Sequence, residues 1–210
     1  MLIYPDSRAT RERAAETIAA GGLVAFRTDT FYGVGADPFN ARALEAINEL
    51  KGRDGKPILV LVSDAEVVER LLTRRTPAFD ALAERLWPGA LTLVAEARAG
   101  VPDILTAGTG TVGVRLPDDE EARAVVRACG GVLTATSANP AGQPPARTAE
   151  TAARYFPHGL GLVIDGGAAR TELPSTVLDV SGEHARMIRE GVVKRTVIEA
   201  VLKSNSLTLT

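Results

Sequence analysis

Three positively charged side chains lie close together in a turn that could bind an anion. Lys51, Arg53 and Lys56 follow a predicted helix and precede a short apolar strand, with glycines between them. Glycine lets the backbone approach a ligand, and several donors converging from a fixed loop are what a polyphosphate requires. The same side chains could instead complement the negative end of the helix, a role worth about 0.3–1 kcal/mol each. The residues alone leave both interpretations open.

A hydroxyl and an amide side chain follow one another where a predicted buried strand becomes a loop. Ser137 and Asn139 stand there, and a proline comes directly after them. Asn-Pro commonly forms a turn, in which both side chains would bond to nearby backbone. Ligands of open α/β sheets, however, bind outside strand ends, where these groups can contact nucleotide phosphate or sugar. A turn and a nucleotide contact are therefore both possible.

Arg115 lies inside an apolar predicted strand, where an unpaired guanidinium would be costly to bury. It therefore needs a negatively charged partner. That partner is either a carboxylate of the protein itself or the carboxylate of a bound substrate, held at two points.

Apolar patterns predict the elements that must position these side chains. Ser7 or Asp6 can cap the first predicted helix and Asn40 the second. Predicted helices cover residues 7–20, 40–51, 63–72, 76–87, 120–128, 148–155 and 192–202, and predicted strands cover 23–26, 58–62, 91–95, 111–116, 132–136, 160–164, 175–180 and 186–188. Because strands and helices alternate, we expect an α/β fold with helical connections.

Length and composition limit the classes of protein to which the chain can belong. No linker divides its 210 residues, so we expect one domain over residues 1–203 and a frayed tail over 204–210. A net charge of −2 and 4% aromatic residues disfavour a dedicated nucleic-acid module without excluding it. There is no leader or membrane-spanning pattern, so we expect a cytoplasmic protein without membrane contact. The single Cys129 excludes an internal disulfide, and His158 and His184 lack partners at metal-ligand spacing, so we expect no metal site.

The ordered set of motifs resembles the Sua5/YciO/YrdC family, whose best-known members are L-threonylcarbamoyladenylate synthases. The resemblance covers about residues 10–191. It rests on Thr28-Asp29-Thr30, Tyr32-Gly33-Val34-Gly35, Lys51-Gly52-Arg53, Trp87-Pro88-Gly89, Thr111-Val112-Gly113-Val114-Arg115, Ser137-Ala138-Asn139, Pro174-Ser175-Thr176 and Ile188-Arg189-Glu190-Gly191.

The resemblance implies a fold, a reaction and partners. The fold is a single YrdC-like α/β domain, a twisted mixed sheet surrounded by helices with a positively lined concave cleft. The reaction is a nucleotidyl transfer that converts ATP, L-threonine and bicarbonate into threonylcarbamoyl-AMP, pyrophosphate and water, with Mg²⁺ carried mainly by ATP. The product serves N6-threonylcarbamoyladenosine synthesis at position 37 of tRNA, through separate tRNA-threonylcarbamoyl transferase proteins and with at most weak tRNA contact. Alternatives are an RNA-binding module of the same fold, for tRNA or double-stranded RNA, and a divergent paralogue with another carbamoyl-adenylate substrate.

The resemblance also assigns residues to ligands. It implies that Lys51 and Arg53 are catalytic. Because the mixed anhydride product hydrolyses easily, a loop that closes over the cleft would protect it, and segments 106–110 and 139–145 are the candidate lids. ATP would contact Lys51, Arg53, Lys56, Thr111, Ser137, Asn139 and Arg189, and threonine would contact Thr30, Arg115 and Ser175. Two positions depart from the family pattern: Arg27 stands where many relatives have proline, and Leu61 where some have a histidine close to threonine.

Overall fold

The computed structural model describes residues 3–52 and 55–210, so that the predicted site residue Arg53 lies outside the described residues. The elements follow the order β1 (Ile3–Pro5), α1 (Arg8–Ala19), β2 (Val24–Arg27), β3 (Tyr32–Gly35), α2 (Ala41–Lys51), β4 (Val60–Val62), a 3₁₀ helix (Glu66–Arg70), α3 (Pro77–Leu86), β5 (Leu91–Glu96), α4 (Asp103–Thr106), β6 (Thr111–Arg115), α5 (Glu120–Ala128), β7 (Val132–Thr134), β8 (Thr136–Ser137), α6 (Ala149–Tyr155), β9 (Leu162–Asp165), β10 (Thr176–Asp179), β11 (Arg186–Arg189) and α7 (Arg195–Ser204). The predicted α/β class is confirmed.

The strands form two mixed sheets rather than the single sheet that the sequence predicts. One sheet has the strand order β1-β9-β2-β3-β8, and the other has the order β11-β10-β5-β6-β4-β7. Parallel pairs such as β2 with β9 and β5 with β10 lie beside antiparallel pairs such as β2 with β3 and β5 with β6. The prediction of mixed strand pairing is therefore right, and the prediction of one sheet is wrong.

The division between the sheets occurs in the middle of a predicted strand. Residues 132–136 were expected to be continuous, but β7 pairs with β4 in the six-stranded sheet and β8 pairs with β3 in the five-stranded sheet. Between them, Ala135 donates its backbone N–H to Leu59 O at 2.9 Å. The chain thus changes hydrogen-bonding partners at this residue, and the two sheets meet there.

Short polar side chains begin the first two helices as the sequence predicts. Ser7 Oγ accepts a hydrogen bond from Thr10 N at 3.2 Å, which identifies Ser7 rather than Asp6 as the cap. Asn40 Oδ1 accepts one from Ala43 N at 3.2 Å. These bonds satisfy N–H groups that have no partner within the helix. In the described ranges, 3–52 and 55–210, no helix is both long and apolar enough to cross a membrane.

Two predicted helices are shorter in the structure. The helix expected over 63–72 is a 3₁₀ helix, and the helix expected from 192 begins three residues later as α7. The second difference has a clear cause, since Val192 N donates to Pro174 O at 3.0 Å and Val193 O accepts from Thr176 Oγ1 at 2.6 Å. These bonds hold residues 192 and 193 against β10 and delay the start of the helix.

The C-terminal tail, expected to fray, makes backbone hydrogen bonds to the segment entering β11. Ala185 N donates to Thr208 O at 3.3 Å, and Thr210 N donates to Ala185 O at 2.8 Å. Leu207 and Leu209 also contact the larger hydrophobic core. The tail therefore lies along the edge of the six-stranded sheet.

Apolar side chains form two buried clusters that hold the sheets and helices together. The larger includes Leu44 of α2, Phe79 of α3 and Leu93 of β5. The smaller contains Phe26 of β2 and Leu61 of β4, together with residues of α1 and α5. Leu61 is fully buried there, which bears on the second departure from the family pattern.

Candidate active site

A cleft of about 640 Å³ is lined by residues from both sheets. The five-stranded sheet contributes the turn between β2 and β3 and the end of β8, and the six-stranded sheet contributes β5, β6, β10 and β11. The division of the sheet at Ala135 therefore places polar strand ends from both sheets around one space. Such a position is typical of ligand sites in α/β folds.

Six of the predicted site residues line this cleft, although they are far apart in the sequence. They are Thr30, Thr111, Arg115, Ser137, Ser175 and Arg189. Lys51, Lys56 and Asn139 are not among the lining residues. The fold thus brings all three residues predicted to bind threonine together with three of those predicted to bind ATP.

Arg115 is buried in β6 and faces the turn formed by residues 28–31. Its Nη1 donates to Thr30 Oγ1 at 3.3 Å and its Nη2 to Thr28 Oγ1 at 3.4 Å. Nη2 also lies 3.3 Å from Asp29 Oδ1, and both side chains of this ion pair are buried. The protein therefore supplies the structural carboxylate that was one of the two possible partners. The buried Nε of Arg115 has no hydrogen-bond partner among the described residues.

Burial shifts the pKa values of both members of this pair. It raises the pKa of Asp29 above its usual value, and the positive charge of Arg115 opposes that shift. Burial likewise lowers the pKa of Arg115, and the carboxylate of Asp29 opposes that shift. Each group therefore limits the cost of burying the charge on the other.

A second group of polar side chains lies where β10 and β11 meet the cleft. Ser175 Oγ is 3.0 Å from Thr92 Oγ1, and both residues are buried. Arg189 Nη2 donates to Ser175 O at 2.9 Å and to Ser175 Oγ at 3.3 Å. Partial burial lowers the pKa of Arg189, as does the positive charge of Arg115. The two guanidinium groups are thus close enough for their charges to interact within one cleft.

Lys51 lies at the end of α2, where its ammonium group contacts the loop that follows β8. Lys51 Nζ donates to Ser137 O, and to Asn139 O at 2.6 Å, and the residue is buried. Lys51, which the sequence predicts to contact phosphate, therefore binds two backbone carbonyl groups beside the cleft. Lys56, in the same turn, is exposed.

Ser137 and Asn139 have different surroundings. Asn139 N donates to Ser137 O at 2.9 Å, and Asn139 Nδ2 donates to Pro140 O at 3.0 Å and to Gln143 O at 2.6 Å. Asn139 thus forms the turn that was one alternative from the sequence. Ser137 lies in the cleft wall, as the other alternative requires.

Thr111 begins β6 at the edge of the cleft. Its Oγ1 is 3.0 Å from Thr109 Oγ1, and both residues line the cleft. Thr109 belongs to segment 106–110, one of the two candidate lids. The segment therefore borders the cleft.

Two polar residues of the cleft region, Asp29 and Thr92, carry no ligand-site prediction from the sequence. Asp29 belongs to the motif Thr28-Asp29-Thr30, but nothing local indicates that it pairs with an arginine 86 positions along the chain. Thr92 offers a weak signal, because it is a hydroxyl residue between two leucines in a predicted buried strand. A buried threonine in such a position needs a hydrogen-bond partner, and that requirement could have identified it.

Neither departure from the family pattern lies in the cleft wall. Leu61 belongs to the smaller core cluster. Arg27 donates to Gly166 O and to a carboxylate oxygen of Glu121, and its Nη2 lies 3.0 Å from Asp119 Oδ2. Arg27 therefore links the end of β2 to the start of α5 and to the loop after β9.

The donor set of the cleft does not resemble a protein metal site. The described residues contain no group of three or more His, Cys, Asp or Glu side chains that could hold a metal ion. Asp179, a carboxylate in the cleft wall, accepts hydrogen bonds from Ser181 and Arg186. These side chains therefore do not fit a resident metal ion.

Similarity to known proteins agrees with this arrangement. A family model for Sua5/YciO/YrdC proteins, with the description "Telomere recombination", matches residues 16–191. The chain is 36% identical over 190 residues to a threonylcarbamoyl-AMP synthase of Pyrococcus abyssi, covering 90% of this chain but 56% of that relative. It is 38% identical over 162 residues to a threonylcarbamoyl-AMP synthase of Thiobacillus denitrificans, covering 77% of this chain and 86% of that relative.

A solved structure shows that the similarity extends to the fold. A crystal structure of P. abyssi Sua5 complexed with L-threonine superimposes with a TM-score of 0.93 at 32% identity, covering all of this chain and 63% of that one. This chain therefore spans a little more than half the length of the P. abyssi relative. By the family match, the sequence identity and the common fold, the chain belongs to the Sua5/YciO/YrdC family.

Proposed function

We propose that this chain is an L-threonylcarbamoyladenylate synthase, which forms threonylcarbamoyl-AMP and pyrophosphate from ATP, L-threonine and bicarbonate. The observation that carries the proposal is the convergence of Thr30, Arg115 and Ser175 in one cleft with Ser137 and Arg189. Relatives with this activity in their names cover most of the chain, which supports the same assignment.

The amino acid binds at the end of the cleft formed by Arg115, Thr30 and Ser175. Arg115 has a counter-charge in Asp29 and retains a buried Nε without a partner among the described residues. A substrate carboxylate can therefore approach a guanidinium that is already oriented, which reduces the entropy lost on binding. The hydroxyl groups of Thr30 and Ser175 provide further hydrogen bonds.

ATP binds along the remaining wall of the cleft, with its phosphates directed toward Lys51 and Lys56. Thr111, Ser137 and Arg189 also line the cleft. Asn139 does not line the cleft, and its side-chain oxygen is buried without a hydrogen-bond partner among the described residues, so its contact with the nucleotide requires a movement of segment 139–145. Lys51 holds the loop that carries Ser137 and Asn139, and it supplies positive charge together with Lys56. We assign the same role to Arg53, which lies outside the described residues.

The cleft offers few carboxylates for a metal ion, so we propose that Mg²⁺ arrives with ATP and is held mainly by the triphosphate. When bound, Mg²⁺ offsets phosphate charge. The protein residues need only bind and orient the nucleotide.

The reaction depends on position and charge rather than on a covalent intermediate. The amine of threonine and bicarbonate give a carbamate and release water, and a carbamate oxygen then attacks the α-phosphorus. The bond to the pyrophosphate oxygen breaks in that step, and pyrophosphate leaves with the electron pair. Holding the two reactants in line and offsetting the charge on the leaving group are sufficient tasks for the arginines and hydroxyls of the cleft. The mixed anhydride hydrolyses easily, so segments 106–110 and 139–145 would protect it by closing.

We propose further that the product is passed, in the cytoplasm, to separate transferase proteins that modify adenosine 37 of tRNA. The chain itself need not bind tRNA strongly, since its net charge is −2.

The test is whether the purified chain acts without RNA. With ATP, L-threonine, bicarbonate and Mg²⁺, we expect threonine-dependent release of pyrophosphate and an adenylate detectable by mass spectrometry. Reactions that lack threonine or bicarbonate are the controls. If ATP binds but no pyrophosphate is released, the divergent paralogue or the RNA-binding module is the better assignment, and a salt-dependent RNA titration separates these two.

A further inference from the structure

A pair of buried hydroxyl groups in the wall of the cleft joins two neighbouring strands. Thr92 lies in β5, and Ser175 directly precedes β10, which runs parallel to β5. Their hydroxyl oxygens are 3.0 Å apart, and both residues line the cleft. Either hydroxyl group can donate the hydrogen bond between them, and the direction decides which proton remains for a ligand.

The orientation of Thr92 is restricted by a close approach to β6. A Cβ atom added at Gly113 would lie 3.3 Å from Thr92 Cγ2, so glycine at this position leaves room for the threonine methyl group. β-Branched side chains have few χ1 rotamers. With the methyl group over Gly113, the hydroxyl group of Thr92 faces Ser175.

Ser175 is also held in place by its own neighbours. Thr176 N donates to Ala90 O at 2.9 Å, and Gly191 N donates to Thr176 Oγ1 at 2.9 Å. Arg189 donates to the backbone oxygen of Ser175 through both Nε and Nη2. The remaining freedom of Ser175 is mainly the direction of its hydroxyl proton.

Counting protons and lone pairs gives two possible arrangements. A hydroxyl group has one proton and two lone pairs, and a guanidinium group can only donate. Arg189 Nη2, at 3.3 Å from Ser175 Oγ, therefore occupies one lone pair of that oxygen. If Thr92 donates to the second lone pair, the proton of Ser175 is free to point into the cleft. If Ser175 donates to Thr92 instead, it has no proton left for a ligand.

We propose that Thr92 is a positioning residue, which donates its proton to Ser175 and so directs the proton of Ser175 toward the carboxylate of the bound amino acid. This inference rests on the proposed function, because it requires an anionic oxygen of the substrate beside Ser175. Two donors on Ser175 Oγ also polarise its O–H bond, which strengthens its bond to an anion. Thr92 itself makes no contact with the substrate.

Thr92→Val tests the proposal, since valine keeps the shape of threonine and removes its proton. Binding of L-threonine is measured by calorimetry, with ATP titrated separately. We expect the Kd for threonine to rise roughly fivefold to tenfold, as for the loss of one hydrogen bond between neutral groups, while the Kd for ATP stays the same. Thr92→Ser, which keeps a hydroxyl group, should restore most of the affinity.

A double-mutant cycle with Ser175→Ala distinguishes action through Ser175 from direct contact. In the Ser175→Ala protein, Thr92→Val should have no further effect on the Kd for threonine. Additive effects would mean that Thr92 touches the substrate itself. An unchanged Kd in Thr92→Val would mean that the two hydroxyl groups only satisfy one another. Either result overturns the proposal.

Thr134→Val is the matched control for a lost buried hydroxyl group. Thr134 Oγ1 accepts from Ala36 N at 2.8 Å and donates to Val34 O at 3.3 Å, and Thr134 does not line the cleft. This variant should lower the melting temperature and leave the threonine affinity unchanged. Circular dichroism confirms that each variant is folded. If the wild-type chain binds no threonine, the proposed function fails and this proposal with it, whereas binding that Thr92→Val does not weaken refutes the positioning role alone.

Discussion

Replacing Lys51 with methionine should lower the stability of the protein, because the ammonium group binds two backbone carbonyl groups of a loop beside the cleft. Methionine keeps most of the aliphatic length of lysine and removes the ammonium group. In the structure that group donates to Ser137 O and Asn139 O, and Lys51 is buried. Ser137 O also accepts from Asn139 N, so the substitution leaves Asn139 O with the greater loss.

The size of the effect follows from these two hydrogen bonds. A bond from a charged donor contributes about 1.5–3 kcal/mol, and a partly buried carbonyl left without a partner adds to the cost of losing it. Because Ser137 O keeps one donor, we expect a total loss of about 2–4 kcal/mol in the free energy of unfolding. For a protein of this length, that corresponds to a fall of roughly 5–15 °C in melting temperature.

The assay compares thermal unfolding with ATP binding in Lys51→Met and Lys56→Met. Lys56 is an exposed cation in the same turn and serves as the control, so its replacement should change the free energy of unfolding by less than about 0.5 kcal/mol. ATP affinity should fall in Lys51→Met because Ser137 and Asn139 lose their support. An unchanged melting temperature together with a large loss of ATP affinity would refute this reasoning and would favour direct contact between Lys51 and the phosphates.

Three substitutions and one labelling experiment test other features of the structure. Arg115→Lys should raise the KM for threonine roughly tenfold and that for ATP much less, because an ammonium group cannot reproduce a planar two-point contact; equal effects in steady-state kinetics would contradict the division of the cleft. Leu61→His should lower the free energy of unfolding, measured in urea, by about 2–4 kcal/mol, because it buries an imidazole in the smaller core cluster. A changed amino-acid preference would show instead that this position shapes the pocket. Gly191→Ala should destabilise the chain and weaken threonine binding, since an added Cβ would lie 2.1 Å from the backbone oxygen of the residue before Ser175; a wild-type melting temperature would show that this contact relaxes without cost. Burial raises the pKa of Cys129 to about 12, so a thiol reagent at pH 8 should label the folded protein slowly and the urea-unfolded protein quickly, and equal rates would refute the burial.

Local features of the fold follow from the sequence because they depend on residues a few positions apart. The caps Ser7 and Asn40 and helix α5 are examples, since a cap contacts the backbone three residues later and an amphipathic helix repeats every three to four residues. The family resemblance is of the same kind, because short motifs and their order can be identified without knowing how the chain folds. Where tertiary contacts compete with these local rules, as at residues 192 and 193, the sequence places the element boundary wrongly.

The contacts that define the site were decided by the tertiary structure. The need of Arg115 for a negative partner follows from its apolar strand, but the identity of that partner as Asp29 depends on how two sheets meet. The position of Lys51 in the sequence is compatible both with a contact to phosphate and with the observed bonds to the carbonyl groups of residues 137 and 139. The sequence does not distinguish between the two. The sequence determines which groups a chain offers and which of them need partners. Only folding determines which distant group satisfies each need, because that choice depends on distances between residues 80 to 90 positions apart in the chain.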